Sequence, residues 1–158
     1  MKESLAARWL ESCDLQVENI SISDPEPDQV QIKVGSAGIC GSDLHMETVR
    51  SEAQTMASGH EVAGEILELP KGETNLKVGD RVAIEIIGAG RACLNCHFCR
   101  YGQWKHCMNL APDTGGGFAQ YMTRKPAGLF KLPDSMDWID GGLVEPMAVS
   151  VHGLRYGR

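Results

Sequence analysis

Four of the chain's six cysteines lie within residues 93–107, at the spacing Cys-x2-Cys-x2-Cys-x7-Cys. Thiolates clustered on a short loop are typical of tetrahedral zinc sites, in which each Zn–S distance is about 2.3 Å. The predicted ligands are Cys93, Cys96, Cys99 and Cys107. Because protein would fill all four positions, no substrate could reach the ion, and the sequence predicts a structural zinc site.

Local charge favours this interpretation, because four thiolates and one Zn²⁺ carry a net negative charge. Residues 86–112 contain three cationic side chains and no acidic one, which would balance that charge. Two other uses of the cluster stay open: redox-active or merely buried thiols, and an iron–sulfur cluster, which also takes four thiolates. His97 and His106 lie in the same loop and could replace one sulfur. We expect them to be solvated neighbours, since four cysteines already complete the coordination shell.

A second group of residues has the chemistry of an open metal site. Cys40, His60 and a carboxylate would supply three ligands and leave a fourth position for water or substrate, as in catalytic zinc sites. Two carboxylates are candidates, Glu61 beside the histidine and Glu145 far along the chain. Taken separately, a lone cysteine or histidine is more often packed or solvated than a ligand.

The elements that must position these residues are predicted to be short strands. Val30, Ile32 and Val34 alternate with polar residues, which is typical of a half-buried strand. Residues 3–13 fit either a helix or a first strand, and one helix is predicted over Pro146–Tyr156. Further strands are predicted near Leu15 and Val17 and over residues 62–66, 82–86, 118–122 and 129–132. The chain is therefore predicted to be mainly β with short helices, forming an antiparallel or mixed barrel.

Composition excludes several classes of function. The net charge of −6 argues against a nucleic-acid binder or a polybasic membrane surface. No window approaches the roughly 18 apolar residues of a membrane span. Glu3, Arg8 and Glu11 interrupt what would be the apolar part of a signal peptide, so we expect a cytoplasmic protein.

Several motifs occur in an order that resembles the zinc-dependent medium-chain alcohol and polyol dehydrogenases. They are residues 37–45 (AGICGSDLH), 59–64 (GHEVAG), 78–82 (VGDRV), 116–121 (GGFAQY) and 145–149 (EPMAV), together with the four-cysteine lobe. The catalytic domain of that family resembles a GroES-type barrel. The acidic residues Glu61 and Glu145 look closer to the sorbitol, threonine and butanediol branch than to the ethanol-type enzymes.

The resemblance implies a role for each residue of the open site. Cys40, His60 and Glu61 would hold a catalytic zinc ion, with Glu145 as an exchanging or water-bridged ligand. The zinc would act as a Lewis acid on an alcohol oxygen, so that hydride can leave for a nicotinamide ring.

Three residues next to the first ligand would support this chemistry. Ser42 would accept the hydroxyl proton and pass it to His45, while Asp43 would orient the His60 ring. Simpler structural roles remain open for them. Ser42 could cap a helical turn, Asp43 could be an acid in its first turn, and His45 could be an exposed side chain.

The resemblance also implies a domain organisation. Residues 1–146 would be the GroES-like catalytic domain, with the zinc lobe at about 91–110, and residues 147–158 would begin the helix leading to a cofactor domain. No Gly-x-Gly-x-x-Gly fingerprint occurs in the chain. The nicotinamide-binding Rossmann domain is therefore expected to be absent from these 158 residues.

The predicted function is oxidation of a secondary alcohol or polyol to a ketone, with two zinc ions per chain and NAD or NADP bound through the missing domain. The fragment is not expected to be active alone, and the full-length protein is expected to be a homo-oligomer with a small-molecule substrate. The alternative is a non-catalytic, zinc-stabilised structural or protein-interaction module.

Overall fold

A computed structural model describes residues 2–9, 15–44, 58–72 and 74–157. The strands are β1 (Lys2–Trp9), β2 (Leu15–Ile22), β3 (Val30–Gly38), β4 (Glu61–Glu68), β5 (Arg81–Ile84), β6 (Tyr121–Arg124) and β7 (Leu129–Lys131). The helices are α1 (His97–Arg100), α2 (Trp138–Gly142) and α3 (Val144–Tyr156). Short 3-10 turns occupy Trp104–His106 and Pro126–Gly128. Residues 41–44 are also helical.

Five of these strands form one sheet in the order β6-β3-β4-β5-β7, and β1 pairs with β2 as a separate hairpin. Every strand pairing among the described residues is antiparallel. A single bridge between Ala6 and Ala119 connects the hairpin to the segment that leads into β6. The prediction of a mainly β chain with antiparallel strands and short helices is confirmed.

The core lies on the five-stranded sheet, where aliphatic side chains from successive strands pack together. It consists of Val30, Ile32, Val62, Ile66, Val82, Ile84, Met122 and Leu129. Burying each Val, Leu, Ile or Met side chain stabilises the fold by about 1.5–3 kcal/mol. Cys40 follows the end of β3 by two residues, and His60 directly precedes β4. Because β3 and β4 are neighbouring strands of the sheet, both ligand candidates are attached to this core.

Some element bounds differ from the sequence predictions. The ambiguous N-terminal segment is a strand through Trp9, because Ser4 and Ala6 alternate inward against the rest of the chain. The strand predicted at 118–122 begins at Tyr121 and ends at Arg124, and the predicted helix Pro146–Tyr156 begins at Val144 instead. The strand predicted to reach Ile86 ends at Ile84, since the carboxylate of Glu85 accepts from the next backbone N–H groups and turns the chain.

Among the described helices, none combines the length and the apolar character that crossing a membrane requires.

Replacing Gly128 by alanine is expected to destabilise the fold by about 1–3 kcal/mol, the range for overpacking. A Cβ at this position would lie 2.4 Å from the Gly90 Cα and 2.6 Å from the Gly90 nitrogen. These neighbours are backbone atoms, so no flexible side chain can move away. Urea denaturation should show a lower midpoint with an unchanged slope.

Gly153→Ala is the matched control for this substitution. Gly153 lies in α3, and a Cβ there meets no atom within 4 Å. Alanine is about 1 kcal/mol better than glycine inside a helix, so this variant should be as stable as the wild type or more stable. Equal midpoints for the two variants would contradict the close approach of Gly128 to Gly90.

Asp80 gives the fold a predicted dependence on pH. Its carboxylate accepts from the Lys131 ammonium at 2.6 Å and from the Lys77 backbone N–H at 2.9 Å. The Lys131 hydrogen bond is the main reason that the pKa of Asp80 lies below its ordinary value. A lowered pKa means that the stabilisation is complete above the unfolded pKa, about 4, and is lost as the pH falls through the folded value.

We therefore expect Asp80→Asn to be less stable than the wild type at neutral pH. The difference in stability between the two proteins should become smaller below about pH 4. Thermal unfolding followed from pH 7 to pH 3 measures this gap. A difference in stability that stays constant over the whole range would show that the charge of Asp80 contributes nothing.

Candidate metal centres

Two groups of potential metal ligands are present among the described residues. The first contains Cys40, His60 and Glu61, whose ligand atoms all lie within 4.8 Å of one another. The second contains the four lobe cysteines, with the same limit on the distances between their sulfur atoms. A thiolate, an imidazole and a carboxylate are ordinary zinc ligands, so the first group has a donor set that fits this ion.

Backbone contacts from a glycine-rich segment hold the His60 loop. Gly59 has a φ of +94°, a left-handed conformation that favours glycine. Its carbonyl accepts from the Gly117 N–H at 2.8 Å, and the Ser58 carbonyl accepts from the Phe118 N–H at the same distance. A Cβ on Gly116 would lie 2.2 Å from the Gly59 oxygen. The chain at 116–118 therefore approaches the loop too closely for a larger residue at 116.

Glu61 is positioned by its pairing with the end of the preceding strand. It stands opposite Gly38 in the antiparallel register of β3 and β4. A Cβ on Gly38 would lie 2.3 Å from the Glu61 Oε2 atom, so the missing side chain at 38 gives the carboxylate its place. Since Cys40 follows two residues later, the same strand end fixes two of the three ligands.

Asp43 is buried beside both the cysteine and the histidine. Its Oδ2 atom accepts from the Cys40 backbone N–H at 2.9 Å, and its Oδ1 atom lies 3.8 Å from His60 Nδ1. The second distance exceeds that of a hydrogen bond. In this structure the carboxylate therefore fixes the turn that carries Cys40 and faces the imidazole without bonding to it.

Of the two residues predicted to move the proton, Ser42 and His45, the structure describes only Ser42. Ser42 is exposed and lies in the helical residues 41–44, directly after the first ligand candidate. His45 lies outside the described residues, and its predicted role stays a prediction.

Glu145 approaches the three-ligand group from α3 but is not a member of it. Burial raises the pKa of the Glu145 carboxyl, the nearby charges of Glu61 and Glu85 raise it further, and His60 lowers it. These interactions place the Glu145 charge within electrostatic reach of two ligand candidates. Of the two carboxylates that the sequence left open, Glu61 is the one within 4.8 Å of both Cys40 and His60.

The cysteine lobe folds around its own sulfur atoms. The Cys107 sulfur accepts from the backbone N–H of Cys93 at 3.3 Å and from that of Asn109 at 3.4 Å, and the Cys93 and Cys99 sulfurs are 3.9 Å apart. Cys99 is the buried residue of α1, while the 3-10 turn at Trp104–His106 buries none of its residues. His97 and His106 are not part of the sulfur group.

The lobe thiols differ in acidity because their surroundings differ. The backbone N–H of Asn95 is the main cause that lowers the pKa of Cys93 to about 6, and that of Met108 lowers the pKa of Cys96. Burial raises the pKa of Cys99 to about 12. A metal ion requires all its cysteine ligands as thiolates, so binding at this lobe would release protons at neutral pH.

Sequence reasoning missed the residues that position the ligands. The motifs at 37–45 and 116–121 contain these residues, namely Gly38, Gly116 and Gly117. The sequence alone does not indicate that they position ligands. The available signal is the run of three consecutive glycines, 115–117, directly before Phe118, because glycines often mark a close approach of backbones.

Comparison with known proteins gives a consistent result. The family model described as "Alcohol dehydrogenase GroES-like domain" matches residues 26–134. The chain is 37% identical over 163 aligned residues to (R,R)-butanediol dehydrogenase of Bacillus subtilis, covering 95% of this chain and 46% of that protein. It is 34% identical to human sorbitol dehydrogenase, covering 91% of this chain and 42% of that enzyme.

A solved structure shares the fold over nearly the whole chain. It is a zinc-binding dehydrogenase from Sinorhizobium meliloti, described as putative and bound to NADP. The TM-score is 0.80 at 28% identity, covering 99% of this chain and 46% of that one. The chain thus spans about half the length of the relatives it matches.

Proposed function

Because the chain belongs to the alcohol dehydrogenase GroES-like domain family, we propose that it is the zinc-binding catalytic part of a dehydrogenase that oxidises a secondary alcohol or polyol to a ketone. The observation that carries this proposal is the convergence of Cys40, His60 and Glu61 within 4.8 Å. Two relatives are a butanediol dehydrogenase and a sorbitol dehydrogenase, which supports the substrate class.

Cys40, His60 and Glu61 would bind the catalytic zinc, and Glu145 would be an exchanging or water-bridged ligand. When bound, zinc supplies Lewis-acid chemistry that stabilises the deprotonated form of an alcohol. Asp43 keeps the Cys40 turn in place through the Cys40 N–H and presents its carboxylate to the His60 ring. These protein groups orient the ligands before any ion arrives.

The proton of the alcohol would leave through this chain's own side chains. Ser42 would accept it from the substrate hydroxyl while passing its own proton to His45, and His45 would exchange that proton with solvent, since an imidazole titrates near neutral pH. The hydride would pass to NAD or NADP held by sequence outside these 158 residues. The four lobe cysteines would hold a second, structural zinc ion, giving two ions per chain.

Metal analysis of the purified chain tests the proposal. We expect about two zinc ions per chain for the wild type and about one for Cys40→Ala, because substitution removes one of three protein ligands. Cys13→Ala is the matched control, since this cysteine belongs to neither predicted motif, and it should keep both ions. The protein that carries this chain in full should oxidise 2,3-butanediol or sorbitol with NAD⁺ or NADP⁺.

A Cys40→Ala variant with the full complement of zinc would overturn the catalytic site. It would favour the alternative, a non-catalytic module stabilised by the cysteine lobe alone.

A further inference from the structure

A tryptophan from α2 fills a gap in strand β3. A Cβ at Gly35 would lie 2.6 Å from the Cδ2 and Cε3 atoms of the Trp138 ring, so the indole occupies the space that a side chain at 35 would need. The Ser36 hydroxyl donates to the Trp138 carbonyl. Gly35 and Ser36 therefore attach both the ring and the backbone of Trp138 to the strand that leads to Cys40.

Arg81 holds the same segment from strand β5. Its Nη1 atom donates to the Met136 carbonyl at 2.6 Å, and its Nη2 atom donates to the Asp134 carbonyl. The guanidinium carbon lies 5.7 Å from the centroid of the Trp138 ring, within the range of a cation–π contact. We call Gly35, Ser36, Arg81 and Trp138 the tryptophan clamp.

The helix that the clamp begins runs directly against the metal-site strand. A Cβ at Gly141 would lie 2.8 Å from the Ala63 Cβ, and one at Gly142 would lie 3.7 Å from the Glu61 carbonyl oxygen. Asp137 caps this helix by accepting from the Asp140 N–H at 2.9 Å. Only Leu143 separates α2 from α3, and Glu145 is the second residue of α3.

The path from the clamp to Glu145 is therefore short and packed against the sheet. The clamp fixes the start of α2, the two glycines fix its distance from Glu61, and α3 follows with Glu145 half-buried toward His60 and Glu61. By contrast, no side chain of α3 is fully buried, and α3 packs on the core only through its first turn, where Val144 contacts the cluster of Ala63, Ala83 and Leu132.

We propose that the tryptophan clamp positions Glu145 against the group of Cys40, His60 and Glu61, and that Trp138 and Arg81 are positioning residues for this site. The inference rests on the proposed function, since it assigns Glu145 a role toward the same metal ion.

A double-mutant cycle with Co²⁺ as the probe tests the inference on the intact 158-residue chain. Co²⁺ bound to the group of Cys40, His60 and Glu61 is identified as the part of the Co²⁺ absorption that disappears in Cys40→Ala. Its affinity is measured in the wild type, in Gly35→Ala, in Glu145→Gln and in the double variant. Gly35→Ala forces the indole out of its gap, and we expect both single variants to weaken Co²⁺ binding by about tenfold, as supporting groups of metal sites do.

The double variant distinguishes positioning from general destabilisation. If the clamp acts through Glu145, the double variant binds Co²⁺ no more weakly than either single variant. Additive losses, or no loss in Gly35→Ala, overturn the inference while leaving the proposed function intact. A Cys40→Ala variant with the wild-type Co²⁺ spectrum overturns both.

Two further variants protect the test against misfolding. Trp138→Leu empties the gap without forcing an atom into it, and it should give the same non-additive loss with Glu145→Gln. Gly153→Ala makes the same chemical change as Gly35→Ala at a position with open space around it, and it should leave Co²⁺ affinity unchanged.

Discussion

Replacing Cys107 by serine is expected to remove one zinc ion per chain and to destabilise the lobe by several kcal/mol. The reason is that the lobe has almost no core of its own, since α1 buries only Cys99 and the following turn buries nothing. Structural zinc contributes about 10–16 kcal/mol of binding free energy in small zinc peptides, so most of the lobe's stability would come from its ion. The Cys107 sulfur also accepts from two backbone N–H groups, so its loss would remove these two hydrogen bonds as well.

Metal analysis and limited proteolysis measure this effect together. Cys107→Ser should retain about one zinc ion of two and should be cleaved within residues 93–107 under conditions in which the wild type is intact. His106→Ala is the control inside the same lobe, because His106 is not part of the sulfur group. It should keep both ions. A Cys107→Ser variant with undiminished zinc would mean that the lobe uses other ligands.

Replacing Arg124 by methionine is expected to lower the free energy of unfolding by about 3 kcal/mol. The Arg124 side chain is 1% exposed. Its Nη1 atom donates to the Thr114 hydroxyl and the Thr123 carbonyl at 2.8 Å, and its Nη2 atom donates to the Gly115 carbonyl at 2.7 Å. Losing the guanidinium would take the Arg124 donor from the buried Gly115 carbonyl, at about 1–3 kcal/mol, while the Thr114 hydroxyl and the Thr123 carbonyl would each keep one other hydrogen bond.

The charge of Arg124 is tolerated in the interior because two acidic groups, Asp113 and Glu85, lie near it and outweigh the like charge of Arg91. Burial lowers the pKa of Arg124 to about 10, and the charges of Asp113 and Glu85 oppose that change, so the side chain stays charged at neutral pH. Chemical denaturation compares Arg124→Met with Arg155→Met, an exposed position near the end of α3. Equal stability of the two variants would show that the buried hydrogen bonds of Arg124 contribute nothing.

The sequence predicted the strands with regular alternation and missed the bounds that depend on polar side chains. Val30 and Ile32 alternate with polar residues, and β3 begins at Val30 as predicted. By contrast, β6 contains Thr123 and Arg124, both buried and polar. Periodicity of apolar residues cannot reveal such a strand, because the partners that make it possible, Thr114 and Gly115, lie in a different segment.

The candidate sites could be predicted as residue types but not as an arrangement. Cysteine spacing alone identified the four sulfur atoms that the lobe brings together. The joining of Cys40 to His60 and Glu61 depends on the register of β3 against β4, which places Gly38 opposite Glu61. That register is a long-range property of the sheet. In our proposal, the position of Glu145 near these ligands depends likewise on Trp138, which fills the gap at Gly35. No local sequence pattern predicts that contact.

The central place of β4 in the sheet sets how the two metal groups would respond to thermal fluctuation. β4 has a hydrogen-bonded strand on each side, so its amide protons are shielded until the whole sheet separates. The backbone that carries His60 and Glu61 would therefore open only when the whole sheet opens. The cysteine lobe lies outside the sheet and can open alone, so its amide protons would exchange with solvent earlier than those of β4.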